Sequence, residues 1–508
     1  MPARHTRLAP RSTHGELAAA LAALREEFEV PAEFPAAARA EAAASVPEPA
    51  PLADLREIPF ATLDPLGAKD LDQAFHLEAR GSGWRVRYAI ADLPAFVRPG
   101  AALDAEARRR GQTLYLPDGS VPLHPRELSE GRASLLPGEE RPAFVWTIDL
   151  DAAGAEVAAR VERARVRSRA RLDYAAAQRA IDAGAATGPL ALLPELGALR
   201  IAQERSRGGA SLNLPEEEIV RDGSGYRIER RFPLPVEEWN AQLSLLAGMA
   251  AGGIMLAGGI GILRTMPEPD AAALAEFRAR VSALGRPWPA GLGYGDYLRG
   301  LAPGTPATAA VLQAAAALFR GADYAAFDET GGEPRLARPA DPRQAAIAAP
   351  YAHVTAPLRR LVDRWGLVVC AALCAGREVP EWVRESLPEV PGLMRASNQR
   401  AGRISSAALD RVEAALVRDR VGEAFDAVVI EVRGDRARVQ LAEPAVTAFC
   451  PADGLAAGTP ARVRVTSADV PSGAIGLALL GRSPAGGSAA GRSAAGRAAA
   501  PEGETSSR

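Results

Sequence analysis

The sequence predicts an α+β protein in which a large domain, a mixed sheet packed with helices, is followed by a small β-barrel. Apolar and polar residues alternate at 85–90 and 144–150, as they do in half-buried strands. After Gly422 the apolar period is again two residues, over several short runs. Longer apolar stretches predict helices at 174–183, 236–257, 358–375 and 403–420.

The N-terminal region is predicted to be a helix and a linker. One amphipathic helix is expected at about 13–28, and the Ala/Pro/Glu-rich stretch after it is expected to be a linker. Dense glycines and prolines between 284 and 345 predict long surface loops in the large domain. The predicted segments are 1–50, the helix and linker; 51–420, the large domain; 421–480, the barrel; and 481–508, a Gly/Ala/Ser-rich tail predicted to be disordered.

The strands after Gly422 suit a barrel of the OB type. Period-two runs at 424–432 and 436–441 are followed by strand-like runs at 461–466 and 474–479. A set of five short strands in a segment of this length fits a small OB-type barrel.

Composition and charge exclude several classes of protein. The 508 residues include 48% apolar residues, enough for a large core, and 60 basic residues balance 62 acidic ones. No global basic field therefore attracts nucleic acid, and any nucleic-acid groove must be a local patch. The 3 cysteines are an odd number and indicate no disulfide framework, so we expect a cytoplasmic protein. The uncharged stretch at 239–263 is interrupted by glycines, so we expect a buried core helix and no membrane association.

Three aspartates, Asp64, Asp70 and Asp72, are crowded around a Gly-containing loop. Carboxylates this close repel one another unless a cation neutralises them, and magnesium prefers oxygen ligands while keeping positions open for phosphate oxygens. Two such ions can activate a water and stabilise the leaving oxygen of a phosphodiester. An Asp-rich surface turn without metal is the alternative that these residues alone leave open.

Several segments, in order and at consistent spacing, match a known enzyme family. They are Asp-Leu-Arg-Glu-Ile-Pro-Phe-Ala-Thr-Leu-Asp at 54–64, Lys-Asp-Leu-Asp-Gln-Ala at 69–74, Tyr-Ala-Ile-Ala-Asp at 88–92, Leu-Asp-Ala-Glu-Ala at 103–107, Leu-Tyr-Leu-Pro-Asp at 114–118, Val-Pro-Leu-His-Pro-Arg-Glu-Leu-Ser at 121–129, Ser-Leu-Leu-Pro at 134–137 and Tyr-Ala-His-Val-Thr-Ala-Pro-Leu-Arg-Arg-Leu-Val-Asp-Arg at 351–364. In these segments the chain resembles the catalytic (RNB) domain of the ribonuclease II / ribonuclease R family of exoribonucleases. The resemblance extends over about 54–480 and is weakest between 175 and 340.

The resemblance implies an RNB catalytic domain at 51–420 and an OB-type RNA-binding barrel at 421–480. Family members often carry cold-shock-like RNA-binding barrels before the catalytic domain. The first 50 residues are too short for them, so we expect a short form of the family.

The resemblance also implies a metal-binding set of four aspartates. Asp64, Asp70 and Asp72 fill three of these positions, and Gln73 occupies the fourth. A glutamine carbonyl can ligate magnesium but carries no charge. Three outcomes stay open: a more weakly held metal, a contact of Gln73 through a bound water, or an impaired enzyme.

Further site residues follow from the matched segments. Tyr115 matches a tyrosine that packs against a base near the 3′ end. Arg359 and Arg360 lie at a predicted helix N-terminus, a natural phosphate site. Lys69, the sole lysine, either contacts phosphate or balances the local negative charge. Without the resemblance, Tyr115 would be read as core packing and the arginines as solvated surface.

Two arginines compete for one catalytic role. The family arginine that approaches the scissile phosphate corresponds to Arg403, or else to Arg400. Asp92 and Asp363 also lie in matched segments, where they are either functional residues or structural caps.

The barrel contains two phenylalanines and several arginines that bear on RNA binding. Because Phe425 and Phe449 are its only aromatic residues, base stacking is not expected to dominate. Phosphate contacts from Arg433, Arg436 and Arg438 are one interpretation, and a structural cap with a solvated charged edge is the other.

The implied function is that of a magnesium-dependent 3′-to-5′ exoribonuclease that degrades single-stranded RNA to 5′-nucleoside monophosphates. Asp64, Asp70, Asp72 and Arg403 are the expected catalytic residues, and the protein is expected to be a monomer. A catalytically weak or inactive RNA-binding protein is the alternative, motivated by Gln73. A magnesium phosphoesterase acting on small nucleotides is a third hypothesis.

Overall fold

The computed structural model describes residues 6–8, 15–31, 33–47, 52–210, 216–222, 225–302, 306–331, 335–444 and 446–482. These residues form two compact units. The first contains the described residues up to Asp419 and the segment Ala468–Ala474, and the second contains Arg420–Ser467 and the described residues from Ile475 onward. The predicted tail lies outside the described residues from 483 onward.

The first unit combines helices with sheets. Its helices are α1 (Glu16–Glu27), α2 (Ala36–Ala44), α3 (Ala102–Arg110), α4 (Tyr174–Asp182), α5 (Pro189–Arg207), α6 (Pro235–Gly258), α7 (Ala271–Ala283), α8 (Tyr294–Arg299), α9 (Pro306–Ala315), α10 (Asp363–Cys374), α11 (Glu381–Ser386) and α12 (Val390–Val417). Its strands are β1 (Thr6–Leu8), β2 (Ala53–Asp54), β3 (Phe60–Asp64), β4 (Gln73–Arg80), β5 (Gly83–Ala91), β6 (Leu114–Leu116), β7 (Gly119–Val121), β8 (Glu140–Leu150), β9 (Glu156–Asp173), β10 (Glu216–Asp222), β11 (Gly225–Arg231), β12 (Ile260–Thr265), β13 (Asp323–Asp328), β14 (Arg343–Gln344) and β15 (Ala349–Pro350).

The central sheet of this unit closes on itself. Its strand order is β2-β9-β3-β4-β5-β8, and β8 also pairs with β9. The closure is possible because β9 is long: its first part is antiparallel to β8 and its last part is parallel to β3. Strand β4 is antiparallel to β3, so the end of β3 and the start of β4 lie at the same edge of the sheet. The loop that carries the crowded aspartates joins these two ends.

The core lies between the sheet and the helices α6 and α10. Among its fully buried side chains are Tyr88, Phe144 and Trp146 from the sheet and Trp365 from α10. Burying one large apolar side chain contributes about 1.5–3 kcal/mol, so this layer fixes the orientation of β5 and β8.

Helix α6 is the predicted core helix, and the structure confirms it. Among the described residues, it is the one helix long and apolar enough to cross a membrane, and half of its most apolar stretch is buried within the protein. A core helix passes the same length and composition test. Gly248 lets another segment pass close by, because a Cβ there would lie 2.1 Å from a ring carbon of Tyr351.

Two predictions about irregular segments are wrong. The expected linker contains α2, whose Ala38 and Ala42 are buried on one face beside α3. The stretch at 284–345 contains α8, α9 and β13 in place of continuous loops. An aromatic cluster holds this region together, with Trp288 stacked on Tyr297 at 5.9 Å between ring centroids.

Two predicted helices exist but begin elsewhere. The helix expected from 358 starts at Asp363, and the one expected from 403 starts at Val390. The predicted N-terminal helix is confirmed as α1. Arg359 and Arg360 therefore precede a helix and do not form its first turn.

The second unit is a barrel-like sheet, as predicted. Its strands are β16 (Ala424–Arg433), β17 (Arg436–Leu441), β18 (Thr447–Pro451), β19 (Pro460–Asp469) and β20 (Ala474–Arg482), in the order β18-β17-β16-β19-β20. Alternate residues such as Val439, Val463 and Val465 are buried, which explains the period of two in the sequence.

The aromatic rings of the barrel are already in contact with cations. Phe425 is buried, and the Arg436 guanidinium lies 4.6 Å from the ring centroid of Phe449. Arg433 and Arg438 both approach Glu431, at 3.0 and 3.9 Å. The proposed phosphate contacts of these arginines stay a prediction.

Candidate active site

The loop at 65–72 connects β3 to β4 and carries two of the predicted metal ligands. At its tip the Ala68 amide donates to the Pro65 carbonyl at 3.1 Å. Gly67 has a φ of +87°, which favours glycine at this turn position. The sequence therefore specifies a tight reversal here.

The matched segment at 134–137 fastens this loop. The Ser134 hydroxyl accepts the Leu71 amide at 3.0 Å and donates to the Lys69 carbonyl at 2.7 Å. The Leu135 amide donates to the Leu71 carbonyl at 3.0 Å. These bonds fix the backbone on which the aspartates are mounted.

Asp72 is the most buried of the three aspartates, with 3% exposure. Its Oδ1 accepts the Leu358 amide at 2.8 Å, and its Oδ2 lies 3.3 Å from Arg359 Nε. Burial raises the pKa of Asp72 to about 8, although Arg359 and the Leu358 amide oppose the rise and Asp70 adds to it. A further cation nearby is needed to hold this carboxyl fully ionised at neutral pH.

The other two aspartates lie in the same electrostatic field. Burial raises the pKa of Asp64 to about 6, Arg359 opposes this, and Asp70 adds to it. Burial also raises the pKa of Asp70 above its usual value. Asp70 is thus close enough to affect both of its neighbours.

These residues fit a magnesium ion. Asp64 Oδ2 and Asp72 Oδ2 are buried and accept no hydrogen bond, which is costly for carboxylate oxygens unless cations compensate them. The ion pair of Asp72 with Arg359 at 3.3 Å compensates one of the two oxygens in part. Within the described ranges no three acidic, histidine or cysteine side chains converge on one point as ready metal ligands. Magnesium usually takes one or two carboxylates and completes its shell with waters and substrate oxygens, so a full set of protein ligands is not required here.

The predicted ligand role of Gln73 does not agree with its hydrogen bonds. Gln73 Nε2 donates to the Thr355 carbonyl at 2.7 Å. Gln73 Oε1 accepts from the Tyr88 hydroxyl at 2.6 Å, and the Ser244 hydroxyl lies 3.3 Å away, with one proton to give either to this oxygen or to Tyr88. The amide oxygen is therefore directed at hydroxyls of the core, and the amide nitrogen, which cannot bind a cation, is directed at the Thr355 carbonyl.

Three predicted RNA-binding residues are open to solvent. Tyr115, in β6, is 51% exposed, and the Arg359 side chain is 45% exposed. Burial raises the pKa of Tyr115, with Arg359 opposing and Asp70 and Asp72 adding to the rise, which places the phenol beside the aspartates. Lys69 is exposed, and its ammonium has no ion pair among the residues described.

The remaining matched residues serve the structure. Arg360 pairs with Asp363 at 2.8 Å, and Asp363 Oδ1 also accepts the Ala356 amide at 2.6 Å. Asp92 caps the single helical turn that follows it and pairs with Arg163 at 2.6 Å. The phosphate-binding role predicted for Arg360 therefore has to compete with an existing ion pair, and Asp92 and Asp363 act as caps and anchors.

The structure separates the two candidate catalytic arginines. Arg400 donates to the Arg109 and Arg110 carbonyls at 3.2 and 2.6 Å. Arg403, in the middle of α12, is exposed and makes no hydrogen bond or ion pair with the rest of the described chain. Because α12 packs beside β6, the strand of Tyr115, Arg403 is the better candidate for a substrate contact.

Sequence reasoning missed the residues that support the site. Tyr88, Thr355 and Ser134 lie in matched segments, and their membership of those segments was the only available signal. Ser244 lies in the apolar run of α6 and gave no signal at all.

Comparison with known proteins identifies the family of the chain. A family model described as "RNB domain" matches residues 52–369, and one described as "RNase II-type exonuclease C-terminal S1 domain" matches residues 423–480. The chain belongs to the RNB family. Ribonuclease R of Escherichia coli K12 is 30% identical over 358 residues, which cover 66% of this chain and 42% of that relative. Exoribonuclease 2 of Psychromonas ingrahamii is 43% identical over 101 residues, covering 20% of this chain and 15% of the relative.

In each of these two matches, the aligned part of this chain covers less than half the length of the relative. Among solved structures, ribonuclease R of Mycoplasma genitalium in complex with ribose-methylated single-stranded RNA superposes with a TM-score of 0.78 at 18% identity, covering 91% of this chain and 78% of that one. Yeast Ssd1, described as a pseudonuclease, has a TM-score of 0.60 at 15% identity, with 83% and 53% covered. At these identities the likeness establishes the fold alone.

Proposed function

We propose that this RNB protein is a magnesium-dependent 3′-to-5′ exoribonuclease that degrades single-stranded RNA to 5′-nucleoside monophosphates. One observation carries the proposal: Asp64 and Asp72 present buried oxygens without hydrogen-bond partners, at a site flanked by the exposed side chains of Tyr115 and Arg359. A cation site that adjoins a base-stacking ring and a phosphate-binding guanidinium suits a terminal nucleotide of RNA.

Each residue has a role that its surroundings support. Asp64 and Asp72 would hold magnesium, with Asp70 adding negative charge beside them. Magnesium, when bound, polarises the phosphate and lowers the pKa of a water that can attack it. Arg359 remains near the aspartates through Asp72 and can bind a phosphate oxygen with its exposed edge.

Three further side chains would contact the substrate. Tyr115 would stack on a base, because aromatic faces accept any base. The free ammonium of Lys69 and the exposed guanidinium of Arg403 would contact the RNA backbone. The family membership and the ribonuclease names of the relatives support RNA as the substrate.

The test uses purified protein and single-stranded RNA with and without magnesium. RNA labelled at the 3′ end should release labelled 5′-mononucleotide at once, whereas RNA labelled at the 5′ end should shorten progressively. Asp72→Asn should lower the rate by about 100-fold or more, since even outer-shell partners of a metal are worth 10–100-fold. Asp270→Asn is the matched control, because asparagine keeps the N-cap of α7 that Asp270 provides.

The other hypotheses give different results in the same assay. Tight RNA binding without hydrolysis would identify an inactive RNA-binding protein. Hydrolysis of small nucleotide esters but not of RNA would identify a general phosphoesterase.

A further inference from the structure

We infer that Gln73 is a positioning residue that acts through Arg359 and does not bind the metal. The inference is argued from the hydrogen bonds of the described chain. It rests on the proposed function because its activity test measures RNA hydrolysis. The residue occupies the one position at which this chain departs from a fully acidic metal set.

The amide of Gln73 ties three separate parts of the first unit together. Its nitrogen donates to the Thr355 carbonyl at 2.7 Å, and its oxygen accepts from Tyr88 in β5 at 2.6 Å and lies 3.3 Å from the Ser244 hydroxyl in α6. Tyr88 and Ser244 are themselves linked at 2.7 Å between their hydroxyl oxygens. Tyr88 is only 1% exposed, so this network is fixed within the core and is not a loose surface contact.

The segment at 355–360 is the one that carries Arg359. Asp72 binds it through the Leu358 amide at 2.8 Å, one residue before Gln73 binds it through Thr355. Asp363 holds its start through the Ala356 amide at 2.6 Å. The position of Arg359 beside Asp72 is thus set by two adjacent residues, Asp72 at the end of the loop and Gln73 at the start of β4.

An amide suits this position better than a carboxylate. The Thr355 carbonyl needs a donor, whereas the hydroxyls of Tyr88 and Ser244 can donate to either group. A carboxylate at 73 would place a negative oxygen against the Thr355 carbonyl oxygen and leave that carbonyl without its partner. Glutamine satisfies both sides, which explains why a neutral residue stands beside three aspartates.

The decisive variant is Gln73→Glu, which keeps the size of the side chain and removes the donor. We expect kcat on single-stranded RNA to fall about 10- to 100-fold, because small misplacement of a positioned group has effects of this size. Gln203→Glu is the matched control, since Gln203 also donates to a backbone carbonyl, that of Ala153 at 3.0 Å, and has no bond to the segment at 355–360.

A double-mutant cycle separates positioning from general structural support. In the Arg359→Ala background, Gln73→Glu should change kcat less than about threefold, because the group through which it acts is gone. If Gln73→Glu lowers kcat as strongly in the Arg359→Ala background as in the wild type, the inference is overturned. If Gln73→Glu does not fold, Tyr88→Phe, which removes one donor to the Gln73 oxygen, takes its place in the same double-mutant cycle with Arg359→Ala.

A measurement without RNA distinguishes this inference from the proposed function. Magnesium alone is titrated while the thermal midpoint of unfolding is followed for the wild type, Gln73→Glu and Tyr88→Phe. Gln73→Glu adds a carboxylate beside the site and is expected to tighten magnesium binding by charge alone, so Tyr88→Phe, which changes no charge, is the deciding variant. Positioning predicts that Tyr88→Phe does not bind magnesium more tightly than the wild type. Tighter magnesium binding by Tyr88→Phe, through release of the Gln73 oxygen, would show a ligand role and refute the inference. Failure of the wild type to hydrolyse RNA in the separate activity assay would instead refute the proposed function.

Discussion

Replacing Asp72 with asparagine should change how the stability of the metal-free protein depends on pH. In the folded chain burial raises the pKa of Asp72 to about 8 and that of Asp64 to about 6. An aspartate in an unfolded chain has a pKa of about 3.9. The folded state therefore holds protons that the unfolded state has already released, and stability falls as pH rises through this window.

The magnitude follows from the two pKa values. Between pH 4 and 6 both carboxyls contribute, each by up to about 1.4 kcal/mol per pH unit. Between pH 6 and 8 the Asp64 contribution is largely complete, and Asp72 alone lowers stability by about 2 kcal/mol. For a unit of this size that corresponds to a fall of roughly 2 °C in the thermal midpoint.

The assay is thermal unfolding at pH 6 and pH 8 in EDTA, for the wild type, Asp72→Asn and the control Asp270→Asn. The fall between the two pH values should be smaller by roughly 2 °C in Asp72→Asn and unchanged in the control. Magnesium should stabilise the wild type more at pH 8 than at pH 6, because the ligand must lose its proton to bind the metal. Equal pH dependence of the wild type and Asp72→Asn in EDTA would show that Asp72 does not titrate in this range.

Three further outcomes are expected. Tyr115→Ala should weaken single-stranded RNA binding by about 1–3 kcal/mol, measured by fluorescence anisotropy, whereas Tyr115→Phe should keep it, because the ring stacks and the hydroxyl does not. Asp104→Ala should destabilise the fold by about 3–5 kcal/mol in thermal unfolding, since it leaves the fully buried Arg364 without its partner at 2.6 Å; full stability would contradict this. The double variant Arg433→Gln and Arg438→Gln should reduce the salt slope of RNA binding by about 1, because two arginines share a single glutamate; an unchanged slope would indicate that this edge of the barrel is a structural cap.

The parts of the fold with clear periodicity could be predicted from the sequence. The alternation at 85–90 and 144–150 corresponds to β5 and β8, and the period of two after Gly422 corresponds to β16 and β17. Helix α2 is not predicted because an Ala/Pro/Glu-rich composition is typical of linkers. Alanine is in fact the strongest helix former, and its small side chain lets α2 pack closely on α3.

Helix starts were harder to predict because side-chain bonds decide them. The stretch from 358 has helical spacing, yet the helix begins only at Asp363. Asp363 accepts the Ala356 amide and pairs with Arg360, which holds the preceding residues in a turn. That turn presents the Leu358 amide to Asp72. The contact with Asp72 is possible because residues 358–362 are not helical.

The candidate site depends on contacts between segments nearly 300 positions apart in the chain. The spacing of Asp64, Asp70 and Asp72 predicted the crowding of carboxylates, but it carried no information on their partners. Asp72 and Gln73 are neighbours whose side chains reach the same segment through opposite hydrogen-bonding roles, one accepting from Leu358 and one donating to Thr355. From the charges of the motif alone, Gln73 looks like a missing metal ligand. Its hydrogen bonds show instead that it donates to the Thr355 carbonyl, in the segment at 355–360 that carries Arg359.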